Sequence, residues 1–330
     1  METIQFFVPT SKVDWLLEKN HLSWQDIIQA RQVCSGNCTS WVLTTYMRLK
    51  KVGIPCTVVK SMPQQGIVIA DRDSLGNQYP YLGDVMLICA KGDREFHPSA
   101  HMHIVHNASE SARSSNQLWN PYFIGHWPQP DIIPRSSHRG HHISTIAFLG
   151  TRSNLAPELT SKHWTETLED IGCQWSPRHT PAAWNDYSDI DVVIAVRTFN
   201  RSQFPNKPAS KLINCWHAGV PILVPPESAF TALRKSPLDF IEICSIEEAI
   251  TAIQNLQGNP QKYQAMVDNG WLRAKKYTEE TILGDWVDFI ESTVYPQYKL
   301  FQEKSVFQRR ATHLNRLRKL KVSRLANKLK

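Results

Sequence analysis

The run KPASKLINCWHAGVPILVPPE at 207–227 constrains the fold more than any other stretch of this chain. It reads as a helix, a tight glycine turn, a buried strand and a stiffened loop. Pro208 suits a first helical position, where the N–H it lacks would have no partner. Ala209, Leu212, Ile213 and Trp216 recur at i, i+3, i+4 and i+7 and make one apolar face. Lys207, Ser210, Lys211 and Asn214 repeat the same spacing on another face. Gly219 supplies the stop signal. Residues 220–224, short, apolar and largely β-branched, suit a parallel strand buried on both faces.

The start of this helix is unusual. Lys207 stands at the N-cap position without a side-chain oxygen to accept the first N–H groups. Those groups stay open unless Asn206 turns back onto them. An open helix N-terminus flanked by Lys207, Ser210 and Lys211 could hold a phosphate. The same spacing also describes a solvated helix face carrying two surface lysines.

Around this run, strands alternate with helices. Residues 143–149 read as a strand, 163–171 as a helix, 191–196 as a strand and 240–244 as another. Ser245-Ile-Glu-Glu248 is a capping box that opens a helix, and two further helices fit 260–276 and 279–293. Such alternation predicts a doubly wound sheet, in which ligands bind beyond the carboxyl ends of the strands. Gly150, Arg197 and Glu227 all fall just past such ends. Gly150 permits close backbone approach and Arg152 can fork onto phosphate oxygens, although an ordinary strand-to-helix turn has the same composition. Glu227 follows two prolines; its carboxylate could accept from two vicinal hydroxyls or sit at the start of a helix from Ser228.

The first half reads as a trimmed version of the same pattern. Strands are expected at 3–8, 54–59, 66–70, 84–89 and 102–105, with a helix over 38–51 whose inner face is Val42, Thr45, Tyr46 and Leu49. The stretch 119–139 is dense in Pro and aromatic residues and reads as a linker. The expected division is an N-terminal domain at 1–120, a linker at 121–142, a C-terminal domain at 143–293, and a helical segment with a basic tail at 294–330.

Composition narrows the class. At 330 residues the chain can hold two full cores. Seven scattered cysteines give neither a disulfide framework nor a zinc pattern. The N-terminus does not read as a signal peptide, and no long apolar run crosses a membrane, so a cytoplasmic setting is expected. The net charge of +7 is segregated: 303–330 hold ten Lys or Arg against one Glu, leaving the remainder at about −2. Leu314, Leu317 and Lys321 share a face there, so an amphipathic helix could form. Such a tail suits an anionic membrane surface or simple solvation; nucleic acid is not an expected partner, since only the tail argues for one.

The order helix, AGVP, strand, Pro-Glu-Ser loop resembles the C-terminal half-domain of GT-B glycosyltransferases, and KPASKLINCWHAGVP is similar to a group of bacterial glycosyltransferase-like proteins. The resemblance extends over about 143–293. It implies an α/β fold with two Rossmann-like domains facing a central cleft. It also implies a hexosyltransferase-like activity that moves a sugar from a nucleotide diphosphate sugar, with no metal and no bound cofactor, to a glycan or lipid-linked acceptor. Donor-binding residues would be Gly150, Arg152, Arg197, Asn206, Lys207, Ser210, Lys211, Asn214 and Glu227. A lipid-linked acceptor would fit a tail at 301–330 touching the inner membrane face. Many retaining members carry glutamates where this chain has Asn206 and Asn214; an amide hydrogen-bonds a hydroxyl but supplies no carboxylate charge. A catalytically inactive protein that binds a nucleotide sugar or glycan is therefore the alternative.

Candidates for the base come from the first half. His97 follows the apolar run 85–89 and could face the cleft, where a neutral imidazole can accept a hydroxyl proton. Asp71, in Asp71-Arg72-Asp73, is the second candidate, although the motif also reads as a strand-end turn. His101, His103 and His106 accompany Asp93 and Arg94, but on a strand His106 points away from the other two, so no metal site is expected.

Overall fold

The computed structural model describes residues 2–328. The chain divides into two compact units: 1–22, 29–127 and 279–330 form the first, and 23–28 with 128–278 form the second.

The first unit is built on a six-stranded parallel sheet: β1 (Ile4–Phe7), β2 (Cys56–Val59), β3 (Gln65–Asp71), β4 (Asp84–Ala90), β5 (Met102–Val105) and β6 (Pro121–Phe123). The strand order is β2-β1-β3-β4-β5-β6, so β3 and β4 lie at its centre. They pair over seven residues, Gln65 to Asp84 through Asp71 to Ala90. That centre is where the sequence is most continuously apolar, because strands covered on both faces leave no polar side to alternate with. The expected helix over 38–51 forms as a π-helical stretch, Cys38–Leu43, running into an α-helix, Thr44–Lys51, with Val42, Thr45, Tyr46 and Leu49 inside. Strand β6 falls in the segment read as linker; its Pro121 is tolerated because β6 is an edge strand.

The C-terminal segment corrects two expectations. Residues from Glu279 onward pack on the first unit, so the second domain ends near Thr278 rather than at 293. Arg48 Nη2 holds Glu279 Oε2 at 2.6 Å at this return. The tail is a 23-residue helix, Val306–Lys328, docked by its charged side. Arg309, His313, Arg316 and Leu320, spaced i, i+4, i+7, i+11, are buried, whereas Phe307, Leu314, Val322 and Leu325 are exposed. The Leu314–Leu317–Lys321 face expected from the sequence is therefore not the inner one. Hydrogen bonds explain the inversion: Arg316 donates to the carbonyls of Leu118 and His101, both at 3.2 Å, and Arg309 Nη2 pairs with Asp84 at 2.8 Å. These loop carbonyls need donors, and leucines cannot supply them.

Arg316→Ala is accordingly expected to cost about 2 kcal/mol, because two half-buried carbonyls lose a charged donor. Leu314→Ser should change stability by less than about 0.5 kcal/mol, as for an ordinary surface position. Urea unfolding of the two variants checks the contrast; equal effects would reject the docked geometry.

The second unit has a five-stranded parallel sheet: β7 (Thr145–Leu149), β8 (Gln174–Arg178), β9 (Val192–Ile194), β10 (Ile222–Val224) and β11 (Ile241–Glu242), in the order β11-β10-β9-β7-β8. Helices Lys162–Asp170, Ser210–Ala218, Ile246–Gln257 and Pro260–Ala274 flank it. The apolar face expected of the organising helix is inside: Ala209, Leu212, Ile213 and Trp216 are all buried. Ser245 caps the next helix at Glu248 N, as the capping box requires. Strand β8 has no apolar signature and contains Pro177; it occupies the sheet edge, where a missing N–H is harmless.

Residues 128–142 belong to this unit and are not a free linker. Asp191, fully buried just before β9, explains why. Its carboxylate accepts from Arg135 (2.7 and 3.0 Å), from Arg139 (2.6 and 2.8 Å), and from the N–H groups of Ser144 and Thr145, both at 2.8 Å. Burial alone would raise its pKa. The Arg139 guanidinium and the two backbone donors outweigh that and hold it below the usual carboxylate value.

Candidate functional site

The organising helix starts later than its sequence indicates. It runs Ser210–Ala218 with Ala209 as the N-cap residue, so Pro208 precedes the helix and Lys207 is not its cap. The cause is a preceding turn: Lys207 N donates to Phe204 O at 2.9 Å, and Phe204 adopts a φ of +38°. Asn206 and Lys207 therefore lie in that turn, partly buried, while Ser210 and Lys211 form the first helical turn. The Ala209 methyl cannot accept a hydrogen bond, so the helix has no side-chain cap and the uncapped N-terminus expected at Lys207 lies two residues on.

Lys211 is the centre of the cluster. Its side chain crosses the turn after β7 so closely that a Cβ at Gly150 would meet Lys211 Cε and Nζ at 3.2 Å. Gly150 also adopts a φ of +152°, which an L side chain rarely takes. Lys211 Nζ lies 5.3 Å from the ring centroid of Phe148, at the end of β7. Among the described residues it makes no hydrogen bond or salt bridge. Its pKa is lowered to about 8, first by burial and then by the Arg197 charge, with Glu227 acting in the opposite sense. The Gly150 carbonyl is bonded by His179 Nδ1 at 2.9 Å, which fixes the turn from the end of β8.

Arg197 and Glu227 supply the remaining charges. The Arg197 guanidinium pairs with Glu227 Oε2, and it lies 5.8 Å from the ring of Phe204. Glu227 is 1 % exposed and is the N-cap residue of Ser228–Leu233, but its carboxylate makes no capping bond. Its other oxygen, Oε1, is buried without a partner, as is Arg197 Nε. Burial raises the Glu227 pKa and Arg197 opposes the rise. Lys207 also acts electrostatically on both Lys211 and Glu227.

Of the nine donor-site residues expected from the sequence, the fold thus gathers Gly150, Arg197, Lys211 and Glu227, with Lys207 close in charge and Asn206 and Ser210 on the adjoining segment. Arg152 is exposed in the turn Arg152–Asn154. Asn214 is turned away: its Nδ2 donates to Gln129 Oε1 at 2.7 Å, so its amide braces the 128–142 segment. Phe148, His179 and Phe204 complete the cluster and were not singled out. Phe148 reads simply as core, and His179 follows a strand whose composition conceals it.

In the first unit, neither expected base reaches solvent. Asp71 is fully buried and caps the turn Arg72–Leu75: Oδ1 accepts from Asp73 N and Ser74 N, both at 3.0 Å, and from Ser35 Oγ at 2.9 Å. His97 is 1 % exposed, packed edge-to-face on Tyr79, with both ring nitrogens buried. Burial and then Arg72 lower its pKa to about 4. The expectation that His97 faces an open cleft is corrected: its backbone N–H donates to His103 Nε2 at 2.9 Å, which holds the segment inside. What does open to solvent is a cavity of about 810 Å³ beyond the carboxyl ends of β3 and β4, lined by Arg72, Asp73, Asp93, Arg94, Glu95 and Arg324. Among the described residues no three His, Cys, Asp or Glu gather as a metal site.

No family model matches the chain, and no curated protein matches it in sequence. Solved structures do match in fold. Sucrose-phosphate synthase from Thermosynechococcus elongatus aligns over 92% of this chain and 100% of its own, at 10% identity and a TM-score of 0.54. Anabaena HepE in complex with UDP-glucose aligns over 88% of this chain and 100% of its own, at 11% identity and a TM-score of 0.52. TarM aligns over 76% of this chain, which spans 58% of TarM, at 12% identity and a TM-score of 0.49. The fold is that of GT-B glycosyltransferases, with two Rossmann-like α/β units. Among the described residues no helix is long and apolar enough to cross a membrane.

Proposed function

We propose that this chain is a glycosyltransferase that takes its sugar from a nucleotide diphosphate sugar bound by the second unit. The observation that carries the reading is the Lys211 ammonium, packed on Gly150 at an uncapped helix N-terminus and making no salt bridge among the described residues. A diphosphate there would receive Lys211, Arg197, Lys207 and the helix N–H groups, enough positive charge to stabilise a leaving diphosphate without a metal. The unpartnered Oε1 of Glu227 is the acceptor for donor hydroxyls, with Arg197 opposing the rise in its pKa that burial causes. HepE was crystallised with UDP-glucose, which makes UDP-glucose the first donor to test.

The acceptor is assigned to the polar cavity of the first unit. Its mixed carboxylates and guanidinium groups suit a polyhydroxylated glycan better than an acyl chain. Asp73 or Asp93 then replaces Asp71 and His97 as the candidate base; they line open space together with Glu95, which is paired with Arg324. The exposed Phe307, Leu314, Val322 and Leu325, interspersed with Arg310, Arg318 and Lys321, keep a peripheral contact with anionic membrane in the proposal.

A binding protein without turnover is the second reading. It is favoured by Asn214, which supplies no carboxylate and is tied to Gln129. Incubating the full chain with UDP-glucose and a panel of oligosaccharides separates the two. Released UDP coupled to a lengthened glycan supports transfer. UDP-glucose binding without either product supports the second reading, and no binding rejects both.

A further inference from the structure

We propose that the first unit carries a second anion site, for a phosphate group, at the opposite ends of its strands from the polar cavity. A cavity of about 240 Å³ lies where β4 and β5 begin, between Met86, His101, Asn120, Lys304, Arg309 and Arg316. Three cationic side chains line it. The carboxylate paired with them is Asp84, bound to Arg309 at 2.8 Å, and its side chain is 67% exposed.

Two of the three cations are built in, while Lys304 stands exposed at the rim. Arg309 is 9 % and Arg316 7 % exposed. Arg316 is fixed by its bonds to Leu118 O and His101 O and lines the cavity. Arg309 lines the cavity and its Nε has no hydrogen-bond partner, so the guanidinium keeps donor capacity beyond its pair with Asp84. The helix Val306–Lys328 begins at this point, capped by Ser305, and adds the positive end of its dipole.

His101 reports the same field from inside. Its Nδ1 accepts from Leu87 N, so the ring is neutral, and burial together with Arg316, Lys304 and Arg309 disfavours a further positive charge on it. The amides of Gln117, Asn120 and Gln297 also line the space and can donate to oxygens. Three cations against one exposed carboxylate match a dianion, and planar guanidinium forks match phosphate geometry. The volume accepts inorganic phosphate or a phosphomonoester carrying a small organic group. A soluble metabolite or the headgroup of a phosphomonoester lipid presents this same chemistry.

Calorimetric titration of the full chain with inorganic phosphate and phenyl phosphate tests the site, using Lys304→Glu and Gln297→Glu, both at exposed positions, and Lys211→Ala as the control for the other unit. Saturable binding that persists in Lys211→Ala, where the site of the second unit is weakened, and that Lys304→Glu in that background weakens by at least about tenfold, is the expected result for a soluble ligand. A lipid ligand would instead show as co-sedimentation with phosphatidylcholine vesicles containing phosphatidic acid, stronger than with phosphatidylglycerol at equal surface charge, and lost in Lys304→Glu. Absence of both, or binding that Lys304→Glu and Gln297→Glu leave unchanged, overturns the proposal.

Discussion

Replacing Lys211 by alanine is expected to weaken binding of uridine diphosphate by about ten- to a hundred-fold, the loss that follows from removing one charge-assisted hydrogen bond worth roughly 1.5–3 kcal/mol. Uridine itself should bind equally to both proteins, since the lysine meets only phosphate. Lys207→Ala should have a smaller effect, because Lys207 lies in the turn before the helix and acts at longer range. The affinity should also depend on pH in a defined direction. With a pKa of about 8 in the free protein, Lys211 is charged below that value and loses its proton above it. A diphosphate prefers the charged form, so affinity holds below about pH 8 and declines above it; in Lys211→Ala the decline should vanish. The same shift bears on stability with the opposite sense. The folded pKa lies below the ordinary 10.5, so burying the ammonium costs stability in full below about pH 8, and the cost is relieved as pH rises toward 10.5. Calorimetry of wild type and variant across this range decides it. Equal, pH-independent diphosphate affinity in the two proteins would remove Lys211 from the site.

Asp191→Ala is expected to destabilise the second unit by about 3–5 kcal/mol, the usual result of removing one partner from a buried ion pair. Arg135 and Arg139 would lose their common acceptor, and the N–H groups of Ser144 and Thr145 would lose theirs. The segment that these arginines pin at the start of β7 and β9 should become open to proteolysis. Asp191→Asn allows the sign to be checked with pH. The folded pKa is depressed below 3.8, so the carboxylate's contribution is complete above that value and is lost as pH falls through the lower folded pKa. Wild type should therefore exceed Asp191→Asn in stability at neutral pH, and the difference should close in acid. Urea unfolding at neutral pH and near pH 3 would measure it, and a constant difference would show that the carboxylate's charge contributes nothing.

The sequence by itself determined the parts whose physics is local. Apolar runs placed the central strands, because a strand buried on both faces has no polar alternation. The i, i+3, i+4, i+7 pattern of Ala209, Leu212, Ile213 and Trp216 identified the organising helix and its inner face, and Ser245 with Glu248 announced the next one. Gly150, Arg197 and Glu227 were legible as candidates because they follow strand ends, where an α/β sheet presents its ligands. Tertiary structure decided which of these candidates meet. Whether Lys211 turns toward Gly150 while Asn214, one turn later, turns toward Gln129 depends on what lies opposite the helix, which spacing cannot show. Edge strands β6 and β8 escaped notice because a half-covered strand needs little apolar sequence and tolerates proline. Tertiary structure also inverted the tail. Arg309, His313 and Arg316 face inward because the loops beneath them present carbonyls and a carboxylate, so hydrogen-bond demand rather than apolar area chose the buried face.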